Sequence, residues 1–265
     1  SSVPVKVMDM SGIRAFDAGN DITLVIKEDG TICSFGDRSL PRNLVFDSTK
    51  VPDVAEADSS IAPNGEAISF SNPVIEAEVR RMCKKATEPI YKTDLEAIRT
   101  LVLDNRNITD ISDLKWLTGL GYLNLNDNSI TDLSPLSEFK NLDILYLHNN
   151  DISEIGALRG LTNLTILDLA NNKIKNVDAL EGMTKLEQLF INDNLVSDIS
   201  GLRGVTLLKG LAAYNNYIKD LQPLSGLTNL TSLLISRNKV EDLSPLSGMK
   251  SLNQLWLSRN PGIID

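Results

Sequence analysis

The sequence has little of the material that catalysis, metal binding or nucleic-acid binding requires. It has one His, two Cys, 5% aromatic residues and no long run of Lys or Arg in 265 residues. Its 26 basic and 35 acidic residues give a formal charge of −9. A chain this acidic has no basic patch to neutralise phosphates, so nucleic acid and anionic membrane are not expected partners. No apolar stretch is long enough to span a bilayer, so membrane insertion is not expected either.

The two cysteines, Cys33 and Cys83, are too few for a disulfide framework or a zinc site with C-x-x-C spacing. A single His without a clustered nucleophile leaves little for hydrolytic chemistry. We therefore expect no enzyme, no catalytic residue, no metal and no cofactor.

Leucine is distributed unevenly, with three before residue 95 and 37 from Leu95 onward. The later region repeats itself every 22 residues. The segment Leu120-Gly-Tyr-Leu123-Asn-Leu125-Asn-Asp-Asn128-Ser-Ile130 returns from Leu142, and again from positions 164, 186, 208 and 230. From Ile98 to Ser251 there are seven full copies without an insertion or deletion, followed by a partial copy.

Each copy carries seven apolar positions in a spacing that fits neither a long helix nor a long strand. The alternating piece, as in Leu123-x-Leu125, predicts a short strand. The piece Ser134-Pro135-Leu136 predicts a short helical or 3-10 turn on the return path, because Pro suits a first helical turn and breaks a central strand. Such a unit must stack on its neighbours to bury its apolar side.

An Asn recurs at 128, 150, 172, 194, 216, 238 and 260. An amide both donates and accepts, so this column can satisfy backbone groups where each strand bends. The first copy has Arg106 at this place, and we expect a locally different bend there because guanidinium cannot accept a hydrogen bond.

The pattern L-x-x-L-x-L-x-x-N-x-I over residues 98–265 resembles the leucine-rich repeat family. The short copies, with phrases such as Ser-Pro-Leu-Ser-Gly, are similar to bacterial internalin-type or phosphatase-regulator-type repeats. The resemblance implies an α/β solenoid, a right-handed superhelix with a parallel sheet on its concave side.

The pattern of residues 70–97 predicts a helical N-terminal cap, similar to the cap that precedes internalin repeats. Asn72-Pro73 is a helix-start signal, and an apolar stripe follows. That stripe is Ile75, Val79, Met82, Cys83 and Ala86. Thr93, followed by acids, predicts the start of a second short helix.

No equivalent cap covers the last apolar layer, which consists of Leu252, Leu255 and Leu257. We therefore expect that either the natural protein continues beyond this layer or another molecule covers it, and self-association through the C-terminal edge is a candidate interaction.

Residues 1–69 predict a small β module. Alternating apolar residues from Ile22 to Phe35 flank an Asp29-Gly30 turn, which indicates a hairpin. Asn64-Gly65 and the segment Ile68-Ser-Phe70 repeat the turn and the second strand more weakly. The stretch from Ala18 to Asp37 resembles one blade motif of the regulator-of-chromosome-condensation propeller, and no exchange-factor activity is implied.

On each repeat strand the leucines point inward, and three columns of side chains face the concave side. Of these 24 positions only Asp104 and Asp168 are charged, where the 23% average predicts about five or six. Few charges and many aromatic rings are typical of a protein-binding surface. The predicted ligand-binding residues are Tyr122, Ile144, Tyr146, His148, Ile166, Asp168, Phe190, Tyr214, Leu234 and Trp256.

Three alternatives apply to these positions. In-register strands disfavour stacked like charges and favour aromatic neighbours, so packing alone produces part of the pattern. His148 and Asp168 resemble a hydrolytic dyad but lack a nucleophile, so a polar surface pair is the stronger interpretation. The acids at 110, 132, 198, 220 and 242 suggest a calcium ladder, although turn capping explains them better.

The leading functional hypothesis is a recognition or adhesion module of a bacterial surface or secreted protein. Its concave face would bind a protein ligand, with a host protein as one candidate. The alternative is an intracellular scaffold or phosphatase-type regulatory protein, located in the cytoplasm. The cell-surface part of the hypothesis rests on the family resemblance alone.

Overall fold

The structure is a computed structural model that describes residues 13–18, 22–27, 31–36, 46–47, 65–261 and 263. The chain divides into two compact units, Ser1–Pro52 and Asp53–Asp265. The first unit contains a four-stranded antiparallel sheet, in the order β1-β2-β3-β4. Its strands are Ile13–Ala18, Ile22–Lys27, Thr31–Gly36 and Phe46–Asp47.

The predicted hairpin is confirmed by the pairing of β2 with β3. Val25 lies opposite Cys33, and Ile26 lies opposite Ile32. The Asp29-Gly30 turn lies outside the described residues.

The weaker strand predicted at 68–70 is wrong. Residues 66–70 have no strand structure, and the backbone N–H of Ile68 donates to the carbonyl of Ile90 at 2.7 Å. Ile68 and Phe70 pack against the core of the repeats. Their alternating pattern therefore reflects contact with the core and not pairing in a sheet; Asn64 lies outside the described residues.

The helical cap begins with helix α1, Pro73–Cys83. The side chain of Asn72 accepts hydrogen bonds from the backbone N–H groups of Val74 (3.0 Å) and Ile75 (3.4 Å), as the helix-start signal predicts. Ile75 and Val79 are fully buried. Cys83 is half-buried against the core, and burial raises the pKa of its thiol. Ala86 was predicted to share this stripe, but it lies beyond the end of α1 and is exposed.

Helix α2 spans Lys92–Leu95 and so begins one residue before the predicted Thr93. Asp94 fixes its start, because the carboxylate accepts hydrogen bonds from the backbone N–H of Tyr91 and from Lys85 Nζ, both at 2.7 Å. One acid in the first turn of α2 therefore links this helix to the segment that follows α1.

A second acid, Asp113, joins the cap to the first repeat. Its carboxylate accepts from the backbone N–H groups of Ser71 (2.8 Å) and Asn72 (2.7 Å), and from Ser71 Oγ at 3.1 Å. Asp113 is 4% exposed and stands where later copies have Pro, Ala or Gly. The repeat pattern does not reveal this anchor, because its partners lie about forty residues earlier in the chain.

The repeats form one sheet of eight parallel strands, β5 to β12, in sequential order. The strands are Thr100–Val102, Tyr122–Asn124, Ile144–Tyr146, Ile166–Asp168, Gln188–Phe190, Gly210–Ala212, Ser232–Leu234 and Gln254–Trp256. Each residue pairs with the one 22 positions later, as in Leu123 with Leu145. This sheet and its return segments confirm the predicted solenoid.

Short 3-10 helices carry the chain back between strands. They span Ser112–Trp116, Ser134–Leu136, Gly156–Gly160, Asp178–Leu180, Ser200–Leu202, Gln222–Leu224 and Ser244–Leu246. The apolar residues of strands and returns together form one continuous core.

The recurrent Asn side chains are buried and link consecutive rungs. Asn172 Oδ1 accepts from the backbone N–H of Ile152 at 3.0 Å, and its Nδ2 lies within 3.1 Å of three carbonyls, those of Leu147, Leu169 and Ala170. The same pattern recurs along the column from Asn128 to Asn260. Backbone groups left unpaired by the bend are thereby satisfied.

The residue before each Asn of the column, and before Arg106 in the first copy, adopts a left-handed backbone, with φ between 50° and 60°. Asn and Asp tolerate this conformation best and occupy six of the eight positions. In the first copy Asn107 also has a positive φ, of 55°. The different bend predicted at Arg106 is therefore confirmed.

The last rung is less covered than the others. Leu255 is 39% exposed, whereas its counterparts from Leu101 to Leu233 are at most 1% exposed. No further rung lies over it among the described residues.

The Asn column yields a stability prediction. Asn172→Ala removes the partner of the buried N–H of Ile152 and one of the hydrogen bonds to each of three carbonyls, so we expect the free energy of unfolding to fall by about 3 kcal/mol. Urea denaturation measures this change. The control is Asn141→Ala, at an exposed Asn outside the column, for which we expect a change within about 0.5 kcal/mol. Equal effects of the two substitutions would contradict the role given to the column.

Candidate functional site

The outward side of the eight-stranded sheet, here called the concave face, carries the predicted columns. Central strand leucines such as Leu123, Leu145 and Leu167 are fully buried, so the residues on either side of them face outward. The outward-facing residues at the last position of each strand lie side by side and are here called the middle row. They are Val102, Asn124, Tyr146, Asp168, Phe190, Ala212, Leu234 and Trp256, each paired in register with the next.

Eight of the ten predicted ligand-binding residues are partly exposed on this face. They are Tyr122, Tyr146, His148, Ile166, Asp168, Phe190, Tyr214 and Trp256. The expectation that Leu234 points at solvent is wrong, because only 2% of it is exposed, and Ile144 is also buried, at 8%. Parallel strands lie about 4.8 Å apart, so side chains on neighbouring rungs cover one another.

Aromatic contacts order part of this surface. The rings of Tyr122 and Tyr146 meet edge to face, with centroids 5.7 Å apart and planes at 66°. Burial raises the pKa of Tyr146, with smaller contributions from Tyr122 and Asp168, so its phenol stays protonated at neutral pH. Tyr214 accepts a hydrogen bond from Asn192 Nδ2 at 3.0 Å. Rings held in this way lose little conformational entropy when a ligand binds.

Asp168 is the one charged residue of the middle row. Burial raises the pKa of its carboxyl, and the charge of Asp127 adds to the rise. His148 and a hydrogen bond from the backbone N–H of Ala170, at 2.9 Å, act in the opposite direction. Ionised Asp168 is therefore a partly desolvated charge in an otherwise neutral middle row.

His148 and Asp168 form neither a hydrogen bond nor an ion pair with each other in the described part of the chain. The backbone N–H of His148 instead donates to Asn126 Oδ1 at 2.7 Å. Across residues 65–261, no group of three or more His, Cys, Asp or Glu residues is arranged to hold a metal ion. No helix among the described residues has the length and apolarity needed to cross a membrane.

The recurrent acids cap turns, as the sequence analysis preferred. Asp110, Asp132, Asp198, Asp220 and Asp242 each accept from the backbone N–H two residues later, at 2.8 Å. At Asp132 and Asp242 the backbone N–H and then the hydroxyl of the following Ser lower the pKa of the carboxyl.

An apolar pair at the edge of the concave face was not predicted from the sequence. Leu195 (41% exposed) and Tyr217 (48% exposed) directly follow two residues of the Asn column. They line a shallow groove together with Asn171, Asp193 and Asn215. Polar or charged residues occupy the same place in the other full copies, and that contrast was the available signal.

Comparison with known proteins gives one family. A family model described as Leucine Rich repeats (2 copies) matches residues 118–160, 162–204, 206–248 and 228–265. No curated protein sequence matches the chain significantly.

Three solved structures of similar fold come from bacteria. An internalin (inlF) from Listeria monocytogenes is 36% identical with a TM-score of 0.68, over 70% of this chain and 55% of that one. Internalin C2 from the same species is 29% identical with a TM-score of 0.59, over 72% of this chain and all of that one. A leucine-rich repeat protein from Leptospira interrogans is 25% identical with a TM-score of 0.59, over 63% of this chain and 45% of its own.

The raised pKa of Asp168 predicts how stability depends on pH. Because the folded state holds this carboxyl at a higher pKa than the unfolded state, its ionisation lowers stability as pH rises through the folded-state pKa. We expect Asp168→Asn to be more stable than the parent at pH 7, with a difference that shrinks toward zero below the ordinary Asp pKa of about 3.9. Urea denaturation from pH 3 to pH 8 measures this difference.

Asp132→Asn is the control of opposite sign. Hydrogen bonds lower the pKa of Asp132, so its carboxylate adds stability above the ordinary pKa and loses that contribution on acidification. The control variant should therefore be less stable than the parent at pH 7. A loss of stability in Asp168→Asn that does not vary with pH would contradict the assignment.

Proposed function

The chain belongs to the leucine-rich repeat family, with repeats of the internalin type, and from this premise we propose that its concave face binds a protein ligand for a bacterial surface or secreted protein. Modules of this family are protein-interaction modules, and the two internalins and the Leptospira interrogans protein described above come from bacteria. The chain spans 55% of the length of the inlF internalin chain. Any activity that belongs to a whole protein of that kind is therefore proposed for this chain and not shown by the similarity.

The observation that carries the proposal is the composition of the partly exposed concave face. Tyr122, Tyr146, Phe190, Tyr214 and Trp256 are half-buried there, and none of its three columns contains Lys or Arg. Half-buried rings present a large apolar area while their orientation is already fixed, which favours association. Eight strands span about 35 Å, enough for an interface of standard size.

The face is tested by removing its rings. We expect the combined variant Tyr146→Ser, Phe190→Ser and Trp256→Ser to keep the circular dichroism of the parent and to lose captured protein ligands. Affinity capture on immobilised parent and variant, followed by mass spectrometry, identifies proteins that only the parent retains. A ligand retained equally by both would contradict binding through this face.

The matched control removes large apolar side chains elsewhere. Trp116 (37% exposed) and Leu207 (45% exposed) lie on return segments outside the sheet. The double variant Trp116→Ser and Leu207→Ser should retain every ligand of the parent. Loss of capture in the control as well would indicate nonspecific apolar adsorption.

The cellular location of the protein distinguishes the leading proposal from the alternative of an intracellular scaffold. Surface exposure predicts that protease added to intact source cells degrades the protein, while a cytoplasmic marker protein survives. Degradation only after lysis would favour the scaffold or phosphatase-type regulatory role. The internalin relatives favour the first outcome.

A further inference from the structure

The centre of the middle row carries a carboxylate between two aromatic rings. Asp168 pairs in register with Tyr146 on one side and with Phe190 on the other. Along its own strand and the loop that follows, its outward-facing neighbours are Ile166 and Ala170. Four apolar or aromatic side chains therefore surround one acid on the surface proposed to bind a ligand.

Within the described residues, Asp168 forms no ion pair with a basic side chain, although His148 lies near enough to lower the pKa of its carboxyl. The seven ion pairs found there lie on the cap or on loops and returns, and none includes Asp168. Its Oδ1 atom accepts from the N–H of Ala170, which leaves acceptor capacity on the carboxylate. Its pKa is raised by burial, so the folded protein bears a desolvation cost that a bound cation would offset.

A basic side chain from a ligand fits these surroundings better than a neutral one. The aliphatic stem of Arg or Lys packs on apolar residues while its charged end reaches an acid. A cation near the faces of Tyr and Phe rings gains cation–π attraction, and a guanidinium also meets a carboxylate with a planar fork. A neutral amide or hydroxyl would make a weaker bond and leave the carboxylate charge unbalanced.

We propose that Asp168, flanked by Tyr146 and Phe190, is the position where the concave face receives a basic side chain, best an arginine, of its protein ligand. This inference rests on the proposed function and adds the chemistry of the ligand. The partner would present an apolar patch with one Arg or Lys at its centre. An acidic patch would place like charges together and bind poorly.

Peptide display tests the inference without a known ligand. A random peptide library is selected separately on the parent, on Asp168→Asn and on the triple-Ser variant. We expect parent-selected peptides to be enriched in Arg or Lys, the enrichment to disappear with Asp168→Asn, and binding to be lost with the triple variant. The matched control is Asp104→Asn, which changes the other acid of the concave face and should keep the enrichment.

The affinity of a selected peptide then measures the coupling between the carboxylate of Asp168 and the Arg side chain of the peptide. We expect Asp168→Asn to weaken its binding about 10- to 100-fold, the range for a hydrogen bond to a charged group. Replacement of its Arg by citrulline, which is uncharged and of similar shape, should cause an equal loss on the parent and little further loss on Asp168→Asn.

Failure of this inference and failure of the proposed function give different results. Peptides that need the rings but show no Arg or Lys enrichment, or keep it with Asp168→Asn, would overturn the inference and leave the proposed function standing. An absence of peptides that depend on the rings would overturn both.

Discussion

The structure depends on the buried amide that links each rung to the one before it. A strand of three residues has few ladder hydrogen bonds, and the sharp bends around it leave backbone groups without partners. The Asn side chain at each bend satisfies an N–H and carbonyls from two consecutive rungs at once. Because both rungs must offer these groups in the same place, the amide fixes the spacing of the repeat and permits no slip in register.

That fixed register determines the character of the concave face. Side chains 22 residues apart stand directly beside one another, so each ring is partly covered by its neighbours while one edge stays exposed. Packing and binding are therefore not competing explanations of the aromatic columns. Packing holds the rings, and a held ring is a better binding group. Asp168 is the exception, since neutral packing does not explain a charge there.

Features that are repeated in the sequence, or marked by local turn and cap residues, could be predicted from it, and features that depend on distant partners could not. The strands, the 3-10 returns and the Asn column follow from offsets that seven copies share. The hairpin and the start of α1 follow from local turn and cap residues. The role of Asp113 could not be predicted because its partners are distant in sequence. Residues 66–70 have the alternating pattern of a strand because their apolar side chains contact the core of the repeats. The burial of Leu234 depends on the size of neighbouring side chains, which a column of letters does not reveal.

Oxidative footprinting of the aromatic rings, with and without a captured ligand, tests the central claim most directly. Hydroxyl radicals modify exposed Tyr, Phe and Trp side chains, and mass spectrometry reports the extent at each ring. The account predicts protection of Tyr146, Phe190 and Trp256 in the complex, with Trp116 unchanged. Protection confined to Trp116, or none at the concave rings while the ligand is bound, would contradict it.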